Sequence, residues 1–209
     1  MGIPVAIVGK PMSGKSFSIK SFSAAEVLVF SALKGTLPFQ GFKSYRIVSL
    51  KDTQTKDTRG LYSAIFEEFK HPSVKTYIID DSQFLMSNIW AHASEKEQAY
   101  GKIYIDISKL WLDLLEAIRN ILPDDTTVYF MHHVVGEDGE LKMQTLGNAM
   151  EEKFQMNGNF DVMLLAYKTE GQNPEYRFKV LRQPEGMFPG LENQNNLKLW
   201  DAEIKKYYQ

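Results

Sequence analysis

Residues 9–16 read Gly-Lys-Pro-Met-Ser-Gly-Lys-Ser, and they stand between a short β-branched run and a stretch able to form a helix. The run Ile3 to Val8 is apolar and stops at a glycine, as a buried parallel strand does before a loop. After the loop, Phe17 to Phe22 reads as a short helix. This G-x-x-x-x-G-K-[ST] spacing, strand before and helix after, is the pattern of a phosphate-cradling loop. Gly9 and Gly14 let the backbone curl so that successive N–H groups face an anion, and the helix adds its positive end. Gly9, Lys10, Pro11, Met12, Ser13, Gly14, Lys15, Ser16 and Phe17 are therefore the expected nucleotide-binding set. Lys15 is expected to contact the β- and γ-phosphates of ATP, and Ser16 to offer its hydroxyl to Mg²⁺.

A metal on one serine needs a carboxylate partner. Tyr77-Ile78-Ile79-Asp80-Asp81 is an apolar strand ending in acid, the form required when a strand-end carboxylate reaches Mg²⁺. Asp80 is expected to hold the metal and Asp81 to orient or deprotonate the attacking water. The next strand candidate, Thr127 to Met131, ends in His132 and His133, which a parallel sheet places at the same carboxyl edge. One histidine is expected to sense the γ-phosphate, or strand alternation buries one ring and exposes the other. His71 and His92 lie in helix or loop surroundings and read as structural or exposed.

The remaining pattern fixes the fold class. Further strands are expected at Val27 to Phe30, Tyr45 to Leu50, Val162 to Tyr167 and Tyr176 to Leu181, the last alternating like an edge strand. A helix is expected where Leu61, Ile65, Phe66 and Phe69 share one face. The clearest helix runs from about Ile103 to Leu122 and is stopped by Pro123. Strands alternating with helices predict an α/β fold: a doubly wound, mainly parallel sheet with helices on both faces. With 209 residues, residues 1–209 are read as a single domain, in which residues 185–209 form a loop and a short amphipathic C-terminal tail.

Composition narrows partners. A net charge of −2 gives no overall positive field for nucleic acid, so any such contact needs a local patch. Phe39, Phe42 and Tyr45 beside Lys43 and Arg46 are one candidate for stacking single-stranded bases, with self-packing as the alternative. Arg177, Lys179 and Arg182 are candidate cations for a neighbouring subunit's γ-phosphate, or a solvated strand face. Cysteine is absent, which excludes disulfides and thiolate metal sites. No secretory leader and no apolar stretch near the ~20 residues of a membrane span is seen, so a cytoplasmic protein without membrane partner is expected.

Beyond these motifs, the order of segments resembles the phage-encoded RecA-like ATPases, a group of AAA-family ATP-binding proteins related to phage single-strand annealing ATPases. The residues that carry the resemblance are IIDDSQFLM (78–86), VYFMHH (128–133), QTLGNAMEEKF (144–154), GMFP (186–189) and NNLKLWDAEIKKYY (195–208). The resemblance implies a RecA-like core, ATP hydrolysis, homo-oligomer formation and action on single-stranded DNA in phage recombination or replication. It also implies a single-strand-binding protein as partner and the host cytoplasm as location. It makes Gly9, Gly14, Lys15 and Ser16 the phosphate and magnesium contacts, Asp80 the metal carboxylate and His133 the sensor. The chain departs from the pattern at His132, where relatives place Thr, at Val134-Val135, where an acid follows, and at Asn148, where Lys is expected. Two other classes fit a phosphate loop on a chain of this size: a small-molecule or nucleotide kinase, and a nucleotide-dependent interaction module with little turnover.

Overall fold

Every predicted strand forms, because each is a short apolar run that fits a sheet buried on both faces. The structure is a computed structural model that describes every residue except 34, 54, 100, 137–140, 147–155 and 188–195. Its strands are β1 (Ile3–Gly9), β2 (Val27–Ser31), β3 (Arg46–Ser49), β4 (Thr76–Asp80), β5 (Thr127–Val135), β6 (Lys142–Met143), β7 (Val162–Lys168) and β8 (Tyr176–Arg182). They join in the order β3-β2-β4-β5-β1-β7-β8, parallel from β3 to β7, with β8 antiparallel at one edge. The two-residue β6 pairs with the end of β5.

Alternation along these strands sorts the core into two layers. Ala6, Val8, Leu28, Phe30, Tyr77, Ile79, Val128 and Phe130 point to the face covered by α1 (Arg59–Lys70), α2 (Gln83–His92) and α4 (Lys102–Ile121). The five-residue α3 (Glu95–Ala99) joins α2 to α4. The helix expected from Ile103 to Leu122 is α4, and it turns Ile103, Ile107, Trp111, Leu114, Leu115 and Ile118 onto the sheet. Neither α2 nor α3 is predicted by the sequence reading: the apolar residues of α2 sit on more than one side, so no single stripe marks it.

Ile3, Val5, Ile7, Val29, Ile78, Tyr129 and Met131 point the other way. Among the described residues the 3-10 turn Ser16–Ser21 and α5 (Leu197–Tyr208) cover them, with Leu37, Phe39 and Met187 packed in the same layer. The segment expected as a tail is thus a twelve-residue helix packed on the sheet, with Leu197, Trp200 and Ile204 fully buried. Each such side chain contributes about 1.5–3 kcal/mol. A buried polar cluster fixes the helix: Asp201 accepts from Thr127 Oγ1, from Tyr129 OH at 3.1 Å, from Thr76 Oγ1 at 3.3 Å and from Lys205 Nζ at 2.8 Å. Thr76 and Thr127 open β4 and β5, so α5 is tied to the edge of the sheet opposite the glycine loop.

The aromatic group near residue 40 packs the protein itself. Phe39 is buried, meets Tyr45 edge-on at 5.4 Å, and Tyr45 OH donates to Phe22 O at 2.6 Å. Among the described residues no helix is long and apolar enough to cross a membrane.

Candidate functional site

Gly9 ends β1 and lies in register with His133 of β5, so the loop and both histidines share the carboxyl edge of the sheet. Strand β5 separates β1 from β4, and the loop and the acidic turn therefore face each other across its end. The backbone between Gly9 and Ser16 is tightly constrained. A Cβ on Gly9 would come within 2.5 Å of Ala166 O and Ser13 Oγ. Gly14 has φ +94°, and a Cβ there would meet the Tyr176 ring at 2.6 Å. The first main-chain donor after the loop is Ser18 N–H, which bonds Gly14 O at 3.0 Å and Lys15 O at 3.1 Å. The N–H groups of Gly14, Lys15, Ser16 and Phe17 precede it and, among the described residues, meet no main-chain acceptor, as an anion site requires. Only six residues of 3-10 turn follow, so the amide ring, rather than a long helix dipole, supplies most of the field.

Lys15 lies inside this ring, 5 % exposed, with Nζ donating to Gly9 O at 2.8 Å and Lys10 O at 3.0 Å. Burial lowers its ammonium to about 8, against the pull of Asp81 and Asp80. Ser16 Oγ donates to Asp80 Oδ1 at 2.7 Å. Asp80 is 4 % exposed, and burial with help from the neighbouring Asp81 charge raises its carboxyl to about 7 despite the Ser16 hydrogen bond and Lys15. A hydroxyl and a carboxylate oxygen in contact are a donor set for a hard divalent cation. Among the described residues no cluster of three or more His, Cys, Asp or Glu could hold a metal, so such a cation would need phosphate oxygens and water to complete its shell. Ser13 Oγ is buried, faces Gly9 and has no hydrogen-bond partner among the described residues.

The only non-glycine residues with positive φ among those described are Met12 (φ 63°) and Asp81 (φ 55°), one in the loop and one in the acidic turn. The left-handed turn at Asp81 directs its carboxylate toward His133, with Oδ1 3.6 Å from Nε2. Gln83 holds this pair: Nε2 lies 3.4 Å from Asp81 Oδ1, and Oε1 accepts His133 N–H at 3.1 Å. His133 keeps 22 % of its side chain exposed, and burial followed by the Lys15 charge lowers its pKa.

His132 points to the opposite face, fully buried against Trp111. Its Nε2 donates to Gln144 O at 2.8 Å, which leaves Nδ1 to accept from Ser82 Oγ at 2.8 Å. Burial lowers it to about 3, so the ring is neutral. Of the two readings of the histidine pair, alternation thus decides: one ring is core, the other is at the site. Ser82, Gln83 and Tyr176 are site or support residues that the sequence reading missed, since nothing in a Ser-Gln dipeptide or a strand tyrosine marks such contacts.

The three proposed cations separate. Arg177 lies beside the loop end and pairs with Glu175 at 2.9 Å. Lys179 is exposed on the edge strand. Arg182 is at the far edge of the sheet, where Nη1 donates to Asn157 O at 2.8 Å and Phe160 O at 3.2 Å, so it is engaged within its own chain. Asn148, Phe188 and Pro189 lie outside the described residues, as does most of 144–154.

No protein-family model matches the chain. A comparison with curated proteins also finds no match. Solved structures do match, among them a KaiC-like protein of the hyperthermophilic archaeon Pyrococcus horikoshii OT3, at 14 % identity and a TM-score of 0.54. That match covers 92 % of this chain and 84 % of the other. At such identity the likeness is one of fold, an α/β core with a mainly parallel sheet.

Proposed function

We propose that the chain binds ATP with Mg²⁺ at Gly9 to Ser16 and hydrolyses it. The observation that carries this reading is the 2.7 Å contact of Ser16 Oγ with Asp80 Oδ1 beside the buried Lys15. Loop and acidic strand lie 64 residues apart in sequence, and the fold brings together the two groups that the phosphate-loop chemistry requires. Mg²⁺ held by Ser16 and Asp80 would neutralise charge on the β- and γ-oxygens. Lys15 exchanges the carbonyls of Gly9 and Lys10 for phosphate oxygens, a charge-assisted contact stronger than those it leaves. Asp81, oriented by Gln83, accepts the proton of the attacking water, and His133 stands where it meets the γ-phosphate. Residues 1–209 act in this reading as one ATPase domain.

Self-assembly, action on single-stranded DNA beside a single-strand-binding protein, and a role in phage recombination or replication extend the proposal. They are supported by the sequence resemblance; the likeness in fold supports the nucleotide site. Exposed Lys179 is then placed to reach a neighbour, and Arg177 would do so by giving up its Glu175 partner. Phosphate release measured with and without single-stranded DNA tests the whole reading. DNA-stimulated release supports it, a requirement for a small acceptor indicates a kinase, and tight binding with negligible turnover indicates an interaction module. Lys15→Ala should remove most ATP binding or turnover while the fold survives, and unchanged hydrolysis would contradict the assignment. A stable monomer with both ATP and single-stranded DNA counts against assembly.

A further inference from the structure

A cleft of about 250 Å³ opens at the Gly14 to Phe17 end of the loop, between the 3-10 turn and the start of β8, with Asn196 at its rim. Its size is below the ~300–1,000 Å³ of pockets that enclose a whole ligand, as suits a site for one part of a larger molecule. Phe17 and Tyr176 form its aromatic lining, with ring centroids 5.7 Å apart and planes inclined at 40°. A base needs ~3.5 Å on each side of its plane, so it does not fit between the rings; together they make one floor. Phe17 is held from behind, edge-on to Phe39 at 6.4 Å, yet it stays 39 % exposed. Tyr176 lies over Gly14, where an added Cβ would come within 2.6 Å of its ring. Two cations, Lys20 over Phe17 at 5.6 Å and Lys168 over Tyr176 at 5.9 Å, flank the lining.

We infer that this cleft takes the base and ribose of the bound nucleotide, with Phe17 as the stacking surface. The inference rests on the nucleotide-binding reading above. If the terminal phosphate lies among Lys15, Asp80 and His133, the phosphate chain runs along the free amides and leaves the loop at Ser16 and Phe17. The nucleoside then meets the cleft directly. An exposed phenylalanine beside a polar loop is unfavourable in water and becomes useful when a planar ring covers it. The hydroxyls of Ser18 and Ser21 already donate to Lys15 O and Ser18 O. Stacking, more than edge recognition, therefore sets affinity, and purines bind better than pyrimidines.

The test is calorimetric titration of the full chain, in the presence of Mg²⁺, with ATP, CTP and inorganic triphosphate. Wild type should bind ATP more tightly than CTP, and more tightly than triphosphate. Phe17→Ala should reduce the ratio of ATP to triphosphate affinity by roughly tenfold to hundredfold, and Phe17→Tyr should restore it. Because the ratio is taken on the same loop, a general weakening of phosphate binding does not move it. If Phe17→Ala leaves the ratio unchanged, the cleft is not the base site while the loop's function stands. If wild type binds neither ATP nor triphosphate, both readings fall.

Discussion

Replacing Asp80 by asparagine should stabilise the nucleotide-free protein and at the same time remove its use of Mg²⁺. In the folded chain the Asp80 carboxyl is held at about 7 instead of its ordinary 3.8, chiefly by burial. A pKa raised by folding contributes stability below the unfolded value and loses it as pH rises through the folded one. At ~1.36 kcal/mol per unit, the ionised carboxylate costs the fold about 4 kcal/mol by pH 8, and about 2–3 kcal/mol of that develops between pH 5 and pH 8. The Asp80→Asn variant does not titrate and still accepts the Ser16 hydroxyl. Its advantage over wild type should grow across that window by roughly 5–10 °C in Tm. His132 titrates in the opposite sense, losing stability as pH falls below 6.5 toward 3, but it is common to both proteins and cancels. Lys15 loses in the variant a charge that holds its ammonium up, so its pKa moves further down from about 8 and enters the upper end of the window; the Asp80 contribution is therefore read between pH 5 and pH 7. Thermal unfolding of both proteins from pH 5 to 8 is the assay, with ATP titrations in Mg²⁺ and in EDTA beside it. A Tm difference constant with pH, or a variant less stable than wild type at pH 7, refutes the burial argument. Equal loss of ATP affinity with and without metal removes Asp80 from the metal's shell.

Gly14→Ala should destabilise the chain by about 1–3 kcal/mol, because the position has φ +94° and its new methyl would strike the Tyr176 ring at 2.6 Å; urea unfolding measures it, and an unchanged midpoint would show that the loop is not braced by β8. Asp201→Ala should cost about 3–5 kcal/mol by leaving Lys205 and three hydroxyls without their buried acceptor. Its Mg·ATP affinity, read by titration below the melting range, should be unaltered, since the cluster lies at the opposite edge of the sheet; a parallel loss of affinity would couple α5 to the nucleotide site.

Much of this protein was legible from local pattern. Strand lengths and alternation mark every strand but the two-residue β6, and the helix α4 announces itself by one continuous apolar stripe. The loop from Gly9 to Ser16 is readable because the chemistry of holding phosphate demands particular residues at fixed covalent spacing. Helix α2 was not legible, because its apolar residues are spread around it, and α5 read as a tail because a short amphipathic segment does not state what it covers. Asp201 gives no sign in the sequence of meeting Thr76, Thr127 and Tyr129, which lie more than 70 residues away.

The sequence by itself determined which groups are available: a glycine-bent ring of amides, one lysine, one serine and two acids at a strand end. Tertiary structure alone decided which of them meet. Placing β5 between β1 and β4 brings Ser16 against Asp80, and strand parity sends His132 into the core while leaving His133 at the edge. Hydrogen bonding by Gln83 and packing by Tyr176 depend on distances through space, which residue spacing along a chain does not encode. Burial, a property of the whole fold, is also what moves Asp80 and Lys15 toward neutrality.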